Sequence, residues 1–198
     1  MAADRFDTRD AVRSLRSGGV LLLATDTLPG LHCRADDDTA VRRIFDIKGR
    51  SPRKALLLLA GSLNQAETLT GPLTSDQAAA CRRCWPGPFS LILPAGSLAA
   101  PAVRGREPTI AVRVPDMAPL RELILAVGVP LVSTSANRTG AAPAPNLTAA
   151  ERDLGAEVDG VWGADHPDGI VPVPSALVNL TVAPFRVLRR GPKAFPGT

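Results

Sequence analysis

Tyrosine, histidine and cysteine are scarce in this sequence, which has no tyrosine, two histidines and three cysteines among 198 residues. An odd number of cysteines always leaves one unpaired, so a complete disulfide framework is excluded. No apolar run approaches the ~18 residues that cross a membrane, and no N-terminal segment has the pattern of a signal peptide. We therefore expect a cytoplasmic protein with no membrane partner.

Several motifs of common enzyme classes are also missing. The sequence has no G-x-x-x-x-G-K-[ST] phosphate loop, no G-x-G-x-x-G dinucleotide loop and no G-x-S-x-G nucleophile elbow. Cys81 and Cys84 form a C-x-x-C pair, but zinc needs four ligands and the sequence has no second pair, so we predict a buried helical pair. His32 follows a glycine turn, and we predict a loop or surface residue there rather than a catalytic base. No metal site is predicted from these residues.

The charge of the chain is moderately positive. Basic residues outnumber acidic ones by 23 to 19, which gives a formal net charge of +4. Lysine occurs only at positions 48, 54 and 193, so arginine supplies most of the positive charge. The excess favours a polyanionic ligand such as a nucleotide or RNA.

The pattern of apolar runs predicts one α/β domain with a mixed sheet. Apolar residues make up 45% of the chain and charged residues 21%, which is a globular composition. Short apolar runs bounded by glycine, proline or polar turns alternate with helical patterns. The predicted strands are 20–24, 55–60, 89–93, 109–114, 131–135, 175–180 and 185–189, and the predicted helices are 8–17, 39–48, 62–69, 75–84, 118–127 and 148–154. We expect residues 1–192 to form the domain and residues 193–198 to form a loose C-terminal tail.

Hydroxyl side chains follow predicted strands at the place where open α/β sheets bind their ligands. Thr25 and Thr27 come after the first strand, and Ser133, Ser135 and Asn137 lie at the end of another. Further polar or cationic candidates lie at other turns and strands: Lys48, Arg50, Lys54, Thr109, Arg113 and Arg189. These groups together would form an anion pocket. The alternative is that the hydroxyls only shape turns and that the arginines only reflect composition.

Six short segments in a fixed order carry a resemblance to a known family. They are Ala24–Thr27 with Gly30-Leu31, Ile47–Arg50 followed by Lys54, Trp85–Pro88, Ala111–Pro115, Pro130–Asn137 with Gly140, and Pro174-Ser175 with Leu188–Gly191. Their order and spacing resemble the Sua5/YciO/YrdC family, and in particular its short, single-domain members. The resemblance implies a single-domain twisted open mixed sheet with helices packed on it and a positively charged concave surface.

The main members of that family are threonylcarbamoyl-AMP synthases, so the resemblance implies a reaction and its partners. L-threonine, bicarbonate and ATP would give threonylcarbamoyl-adenylate and pyrophosphate, with Mg²⁺ bridging the phosphates. A downstream threonylcarbamoyl transferase would then use the adenylate to modify adenosine 37 of tRNA, and weak tRNA binding is expected.

The same resemblance implies a set of site residues. The catalytic pair would be Lys48 and Arg50, which face the phosphates and the carboxylate. The substrate-binding residues would be Thr25, Thr27, Lys54, Thr109, Arg113 and Ser175. The nucleotide-binding residues would be Ser133, Ser135, Asn137 and Arg189.

The sequence departs from the family pattern near the expected threonine site. Leu28-Pro29 stands where the family has valine and an aromatic residue, so one aromatic wall is missing. Ala24 and Ala55 stand where proline is common. Two other functions stay open, namely a non-catalytic, YciO-like RNA-binding protein of the same fold and a relative of the carbamoyl-transfer domain of hydrogenase maturation. Strongly salt-dependent RNA affinity would distinguish the RNA-binding protein from the enzyme.

Overall fold

The computed structural model describes residues 3–49, 56–97, 103, 108–166 and 173–197. Within them the chain forms one mixed sheet of nine strands with helices on both faces, which confirms the predicted class. The strands are β1 (Leu21–Leu23), β2 (Gly30–Arg34), β3 (Leu57–Leu59), β4 (Phe89–Pro94), β5 (Thr109–Arg113), β6 (Leu131–Ser135), β7 (Gly160–Trp162), β8 (Ala176–Asn179) and β9 (Arg186–Arg189). The helices are α1 (Thr8–Arg16), α2 (Asp38–Lys48), α3 (Leu63–Glu67), α4 (Ser75–Cys84), α5 (Ala118–Val127) and α6 (Leu147–Leu154), and a 3₁₀ turn over Gly155–Glu157 follows α6.

The strands lie in the order β7-β1-β2-β6-β3-β5-β4-β8-β9. Strands β2 and β3 are both antiparallel to β6, which lies between them. Helix α2 therefore connects two strands that run in the same direction but are not neighbours. The sequence predicted that the strand at 20–24 leads into this helix directly, and that expectation was wrong because β2 was not predicted.

Side-chain alternation divides the sheet into two faces, each with its own apolar core. On one face the central strands pack against α2, α4 and α6, for example through Ile44, Cys81 and Leu154. On the other face α1 and α5 pack over residues such as Leu21 and Leu59. Helices α1 and α5 contact each other and cover only part of this second face. The remaining part is lined by polar strand residues and forms the candidate site.

Helix α2 carries the predicted site residue Lys48 at its last position. The Asp37 side chain caps the start of the helix by accepting hydrogen bonds from the backbone N–H groups of Thr39 and Ala40, both at 3.0 Å. Gly49 ends the helix in the left-handed conformation at φ 57°, which side-chain-bearing residues rarely adopt. The two caps fix the length of the helix and thereby the place of Lys48 beside the end of β6.

The C-terminal segment is attached to the domain rather than loose. Phe195 is partly buried and packs against the larger apolar core. Arg83 Nη2 in α4 donates a hydrogen bond to the carbonyl oxygen of Gly197 at 2.8 Å. In the described residues, no helix is long and apolar enough to span a membrane.

Candidate active site

A cavity of about 430 Å³ opens on the uncovered part of the second sheet face. Its floor is apolar and comes from strands β3, β4, β5 and β8, and its rim carries hydroxyl and guanidinium groups. The polar side chains around it are Thr27, Ser90, Arg113, Ser133, Thr134, Ser135, Ser175 and Arg189. The volume lies within the roughly 300–1,000 Å³ typical of small-molecule sites. Six of the predicted site residues therefore surround one hollow, namely Thr27, Arg113, Ser133, Ser135, Ser175 and Arg189.

Arg113 is the most deeply buried cation of the cavity, with 2% of its surface exposed. Its Nη1 donates a hydrogen bond to Thr27 Oγ1 at 2.7 Å, and its Nη2 lies 3.4 Å from Asp26 Oδ1. Its Nε has no hydrogen-bond partner among the residues that the structure describes. Burial lowers the pKa of Arg113 while Asp26 opposes that shift, and the guanidinium group stays charged. A buried, incompletely paired guanidinium group at a cavity is suited to bind an anion.

Arg189 and Ser175 form the other cationic side of the cavity. Arg189 Nε donates to the carbonyl oxygen of Ser175 at 3.0 Å, and its Nη2 lies 3.4 Å from Ser175 Oγ. Ser175 Oγ is also 2.7 Å from Ser90 Oγ on β4. Strand β9 is solvent-exposed along its whole length. The contacts with Ser175 therefore hold the guanidinium group of Arg189 at the cavity.

Ser133 lies opposite, on β6, and its partner is the buried His32 on β2. Ser133 Oγ is 3.1 Å from His32 Nε2, and His32 Nδ1 is 2.9 Å from the carbonyl oxygen of Gly30. Position 30 has to be glycine here, since a Cβ atom would lie 2.7 Å from the carbonyl oxygen of Thr134 and 2.8 Å from His32 Cε1. Burial lowers the pKa of His32 to about 3, so the ring is neutral at neutral pH.

Lys48 and Asn137 do not line the cavity but support its wall. Lys48 is 4% exposed, and its Nζ donates to the carbonyl oxygens of Ser135 and Asn137 at 2.6 and 2.7 Å. Asn137 Oδ1 lies 3.3 Å from the same Nζ and accepts a hydrogen bond from Ser135 Oγ. The ammonium group thus holds the loop after β6 in the position in which Ser135 reaches the cavity.

The remaining predicted residues differ in placement. Thr25 is buried and does not line the cavity. Its Oγ1 lies 3.1 Å from Thr27 Oγ1, so it supports the turn that carries Thr27. Thr109 lies at the far end of β5, on the same strand face as Arg113 but away from the cavity lining. Arg50 and Lys54 lie outside the described residues.

Sequence reasoning missed several residues of this region. The surface prediction for His32 was wrong: it is fully buried at the centre of β2, and the apolar residues Leu31 and Cys33 on either side were the available signal. Ser90 and the apolar floor were not singled out because buried strand residues resemble ordinary core. His166 Nε2 lies 2.9 Å from the carbonyl oxygen of Thr27, a contact across 139 positions that no local pattern indicates.

The C-x-x-C pair is placed as predicted. Cys81 and Cys84 lie on α4 with 1% of their surfaces exposed, and both are free thiols. Among the described residues there is no group of three or more histidine, cysteine, aspartate or glutamate side chains that would hold a metal ion.

Comparison with protein-family models gives one match that spans most of the chain. Residues 13–191 match the Sua5/YciO/YrdC model, which is described as "Telomere recombination". The chain belongs to the Sua5/YciO/YrdC family. The order of motifs that suggested the resemblance is therefore that of a true family member.

Curated relatives of this family member are named threonylcarbamoyl-AMP synthase. The protein of Chromohalobacter salexigens is 40% identical over 162 residues, which cover 82% of this chain and 86% of the relative. That of Thiobacillus denitrificans is 36% identical over 175 residues, which cover 88% and 90% of the two chains.

Solved structures share the fold. The crystal structure of P. abyssi Sua5 complexed with L-threonine has a TM-score of 0.85 and 28% identity, and the match covers 96% of this chain. This chain spans 56% of that longer one. The crystal structure of E. coli YciO has a TM-score of 0.82 over 97% of this chain and 94% of its own, at 24% identity.

Proposed function

We propose that this chain is a threonylcarbamoyl-AMP synthase, which forms threonylcarbamoyl-adenylate and pyrophosphate from L-threonine, bicarbonate and ATP. The observation that carries the proposal is a cavity in which two guanidinium groups, those of Arg113 and Arg189, face a row of hydroxyl groups. The curated relatives at 36–40% identity carry this name over more than four fifths of the chain. The volume of the cavity is in the range of small-molecule sites. The sequence has neither the phosphate loop nor the dinucleotide loop of other nucleotide-binding folds.

The proposed reaction needs positioning more than a protein nucleophile. The threonine nitrogen bonds to the bicarbonate carbon while the C–OH bond of bicarbonate breaks, and the hydroxyl leaves as water with a proton of the amine. A carbamate oxygen then bonds to the α-phosphorus, and the bond from that phosphorus to the pyrophosphate oxygen breaks. Negative charge builds up on phosphate oxygens during the transfer. Fixed cations and hydroxyls in a partly desolvated cavity stabilise that charge without reorganising.

The placement of the side chains suggests how the substrates are divided. Arg113, buried beside Thr27, suits the carboxylate of the amino acid, because a charge-assisted hydrogen bond from a desolvated guanidinium group is strong. Arg189, on the exposed strand β9, suits the phosphates at the mouth of the cavity. Ser135 would contact the nucleotide, while Lys48 and Asn137, which do not line the cavity, would hold the chain around Ser135 in place.

Magnesium enters this proposal with ATP rather than as a resident ion. Mg²⁺ prefers oxygen ligands and keeps several waters. The polar side chains around the cavity are hydroxyls and guanidinium groups, which do not form a carboxylate cage. These residues do not fit a protein-held magnesium site, so we assign the ion to the phosphates of the substrate and derive no step from it.

The test is pyrophosphate release from ATP with L-threonine and bicarbonate each omitted in turn. We expect release only when both are present, together with an adenylate product. The Arg189→Gln variant should lower kcat/KM by roughly tenfold or more, since a charge-assisted contact is worth about 1.5–3 kcal/mol. Arg152→Gln is the matched control, because Arg152 is an exposed arginine of α6 away from the cavity. Absence of threonine-dependent release, combined with strongly salt-dependent RNA binding, would overturn the proposal in favour of an RNA-binding protein.

A further inference from the structure

We propose that His32 is a positioning residue that forces the Ser133 hydroxyl to donate its proton to the imidazole, so that Ser133 presents only acceptor lone pairs to the cavity. Ser133 would then select a ligand group that donates a hydrogen bond. This inference rests on the proposed function in one respect, because it identifies that group as an N–H or O–H of the amino-acid substrate.

The direction of the hydrogen bonds follows from the partners of the ring. The Gly30 carbonyl oxygen can only accept, and it lies 2.9 Å from His32 Nδ1, so Nδ1 carries the proton. In a neutral imidazole the other nitrogen is then an acceptor. Ser133 Oγ, 3.1 Å from Nε2, has to donate to it.

The surroundings of His32 keep the ring neutral. The residue is fully buried at the centre of β2, directly opposite Ser133 on β6. Among the residues that the structure describes, the charged group that acts on it is the cation of Arg113, which disfavours a second positive charge. At neutral pH the ring therefore has one tautomer and one charge state, and the Ser133 hydroxyl directs its proton to Nε2.

The consequence concerns the cavity side of Ser133, which lines the hollow with 7% of its surface exposed. A free serine hydroxyl rotates and either donates or accepts, so it does not discriminate between ligand donors and acceptors. A hydroxyl whose proton is held by His32 offers only lone pairs. A carboxylate or phosphate oxygen at this point would face an acceptor, whereas an amine, a carbamate N–H or the threonine hydroxyl would be bound.

The first test is spectroscopic and does not depend on catalysis. The chain has two histidines, so ¹⁵N spectra of the imidazole rings are assigned with a single His166→Gln variant. We expect His32 to show the neutral tautomer with the proton on Nδ1 at pH 7. A ring protonated on Nε2, or on both nitrogens, overturns the inference whatever the enzyme does.

The second test separates a positioning role from a merely structural one. Binding of L-threonine is measured by calorimetry for the wild type, His32→Phe, Ser133→Ala and the double variant. We expect each single variant to weaken binding by roughly fivefold, the effect of one ordinary hydrogen bond, and the double variant to be no weaker than Ser133→Ala. His32→Gln, which restores an acceptor, should recover part of the affinity. Additive losses, or no loss in Ser133→Ala, would contradict the inference.

The donor is identified with a substrate analogue. If Ser133 accepts from the threonine hydroxyl, Ser133→Ala will not weaken the binding of L-2-aminobutyrate, which lacks that hydroxyl. If it accepts from the amine, both amino acids will lose affinity equally. The two proposals fail in different ways. If the proposed function is wrong, the wild type will show no threonine-dependent pyrophosphate release, but the His32 tautomer will still be the one expected here.

Discussion

Lys48 and Arg113 are both buried cations, with 4% and 2% of their surfaces exposed, yet they are used differently. Lys48 points its ammonium group at three oxygens, one of Ser135 at the end of β6 and two of Asn137 in the loop that follows. Arg113 makes one hydrogen bond to Thr27, faces Asp26 and lines the cavity. A buried cation that is surrounded by backbone carbonyl groups holds structure, whereas one that is left incompletely paired at a cavity binds a ligand. The comparison separates two residues that the sequence analysis placed together in one anion pocket.

The largest effect is expected at Arg113. Arg113→Gln leaves the carboxylate of Asp26, whose side chain is 10% exposed, without its cation, which should lower the free energy of unfolding by about 3–5 kcal/mol. It should also lower kcat/KM for threonine-dependent pyrophosphate release by about a hundredfold. Adding Asp26→Asn should restore much of the stability, measured by urea unfolding, but not the activity. A double variant with normal turnover would show that Arg113 does not bind the substrate.

At Lys48 we expect a smaller effect that falls mainly on stability. Lys48→Met removes a charged donor from three oxygens and should cost about 2–3 kcal/mol in the free energy of unfolding. Lys193→Met, at an exposed position of the C-terminal segment, is the control. If Lys48→Met were as stable as the wild type but inactive, the phosphate contact predicted from the sequence would be favoured over the anchoring role.

The parts of the fold that the sequence predicted are those with local signals. Helix α5 and strand β6 were predicted at their observed bounds, because a glycine ends the helix and an apolar run begins after Pro130. Strand β2 was missed because it is buried on both faces and has a histidine in the middle, so it shows neither alternation nor a continuous apolar run. Strand β7 was missed because its sequence, Gly-Val-Trp, contains no apolar run, whereas the equally short β1 and β3 lie within runs of leucine.

The composition of the candidate site was largely predictable, but the direction of its side chains was not. Strand-end hydroxyls and scattered arginines were identified from the sequence, and six of them surround the cavity. Whether the Lys48 ammonium group reaches the cavity or the loop depends on how α2 is placed relative to β6. These two elements are 83 or more positions apart in the sequence, so no local pattern predicts their placement. The same holds for the His32–Ser133 pair, which only the register of β2 and β6 brings together. The substrate contacts of these residues stay predictions.

The pH dependence of stability extends the comparison to His32, a third buried side chain that is able to carry a positive charge. Its pKa is about 3 in the folded protein, against an ordinary value of 6.5, chiefly because burial disfavours the charged ring. As the pH falls below about 6.5, His32 binds a proton in the unfolded chain but stays neutral in the folded chain. The contribution of the neutral ring to the free energy of unfolding is therefore complete above that pH and decreases below it. Between pH 7 and pH 5 the loss should be about 2 kcal/mol.

Urea unfolding at the two pH values measures this loss. His32→Phe and His32→Gln both lack the titrating ring, so each should lose about 2 kcal/mol less than the wild type between pH 7 and pH 5. A loss equal to that of the wild type would assign the pH dependence to other groups.

The smallest effect is expected at Cys81 and Cys84, which are buried like the cations but have no polar role in the site. Burial raises the pKa of Cys81 to about 12 and that of Cys84 to about 11, so both are protonated thiols at neutral pH. Cys81→Ser and Cys84→Ser should leave pyrophosphate release unchanged. Thiol reagents should label the native protein slowly and the urea-unfolded protein at once. Rapid labelling of the native chain, or loss of turnover in either variant, would show that α4 carries a reactive group. The two cysteines would then count among the functional residues and not among those that only pack the core.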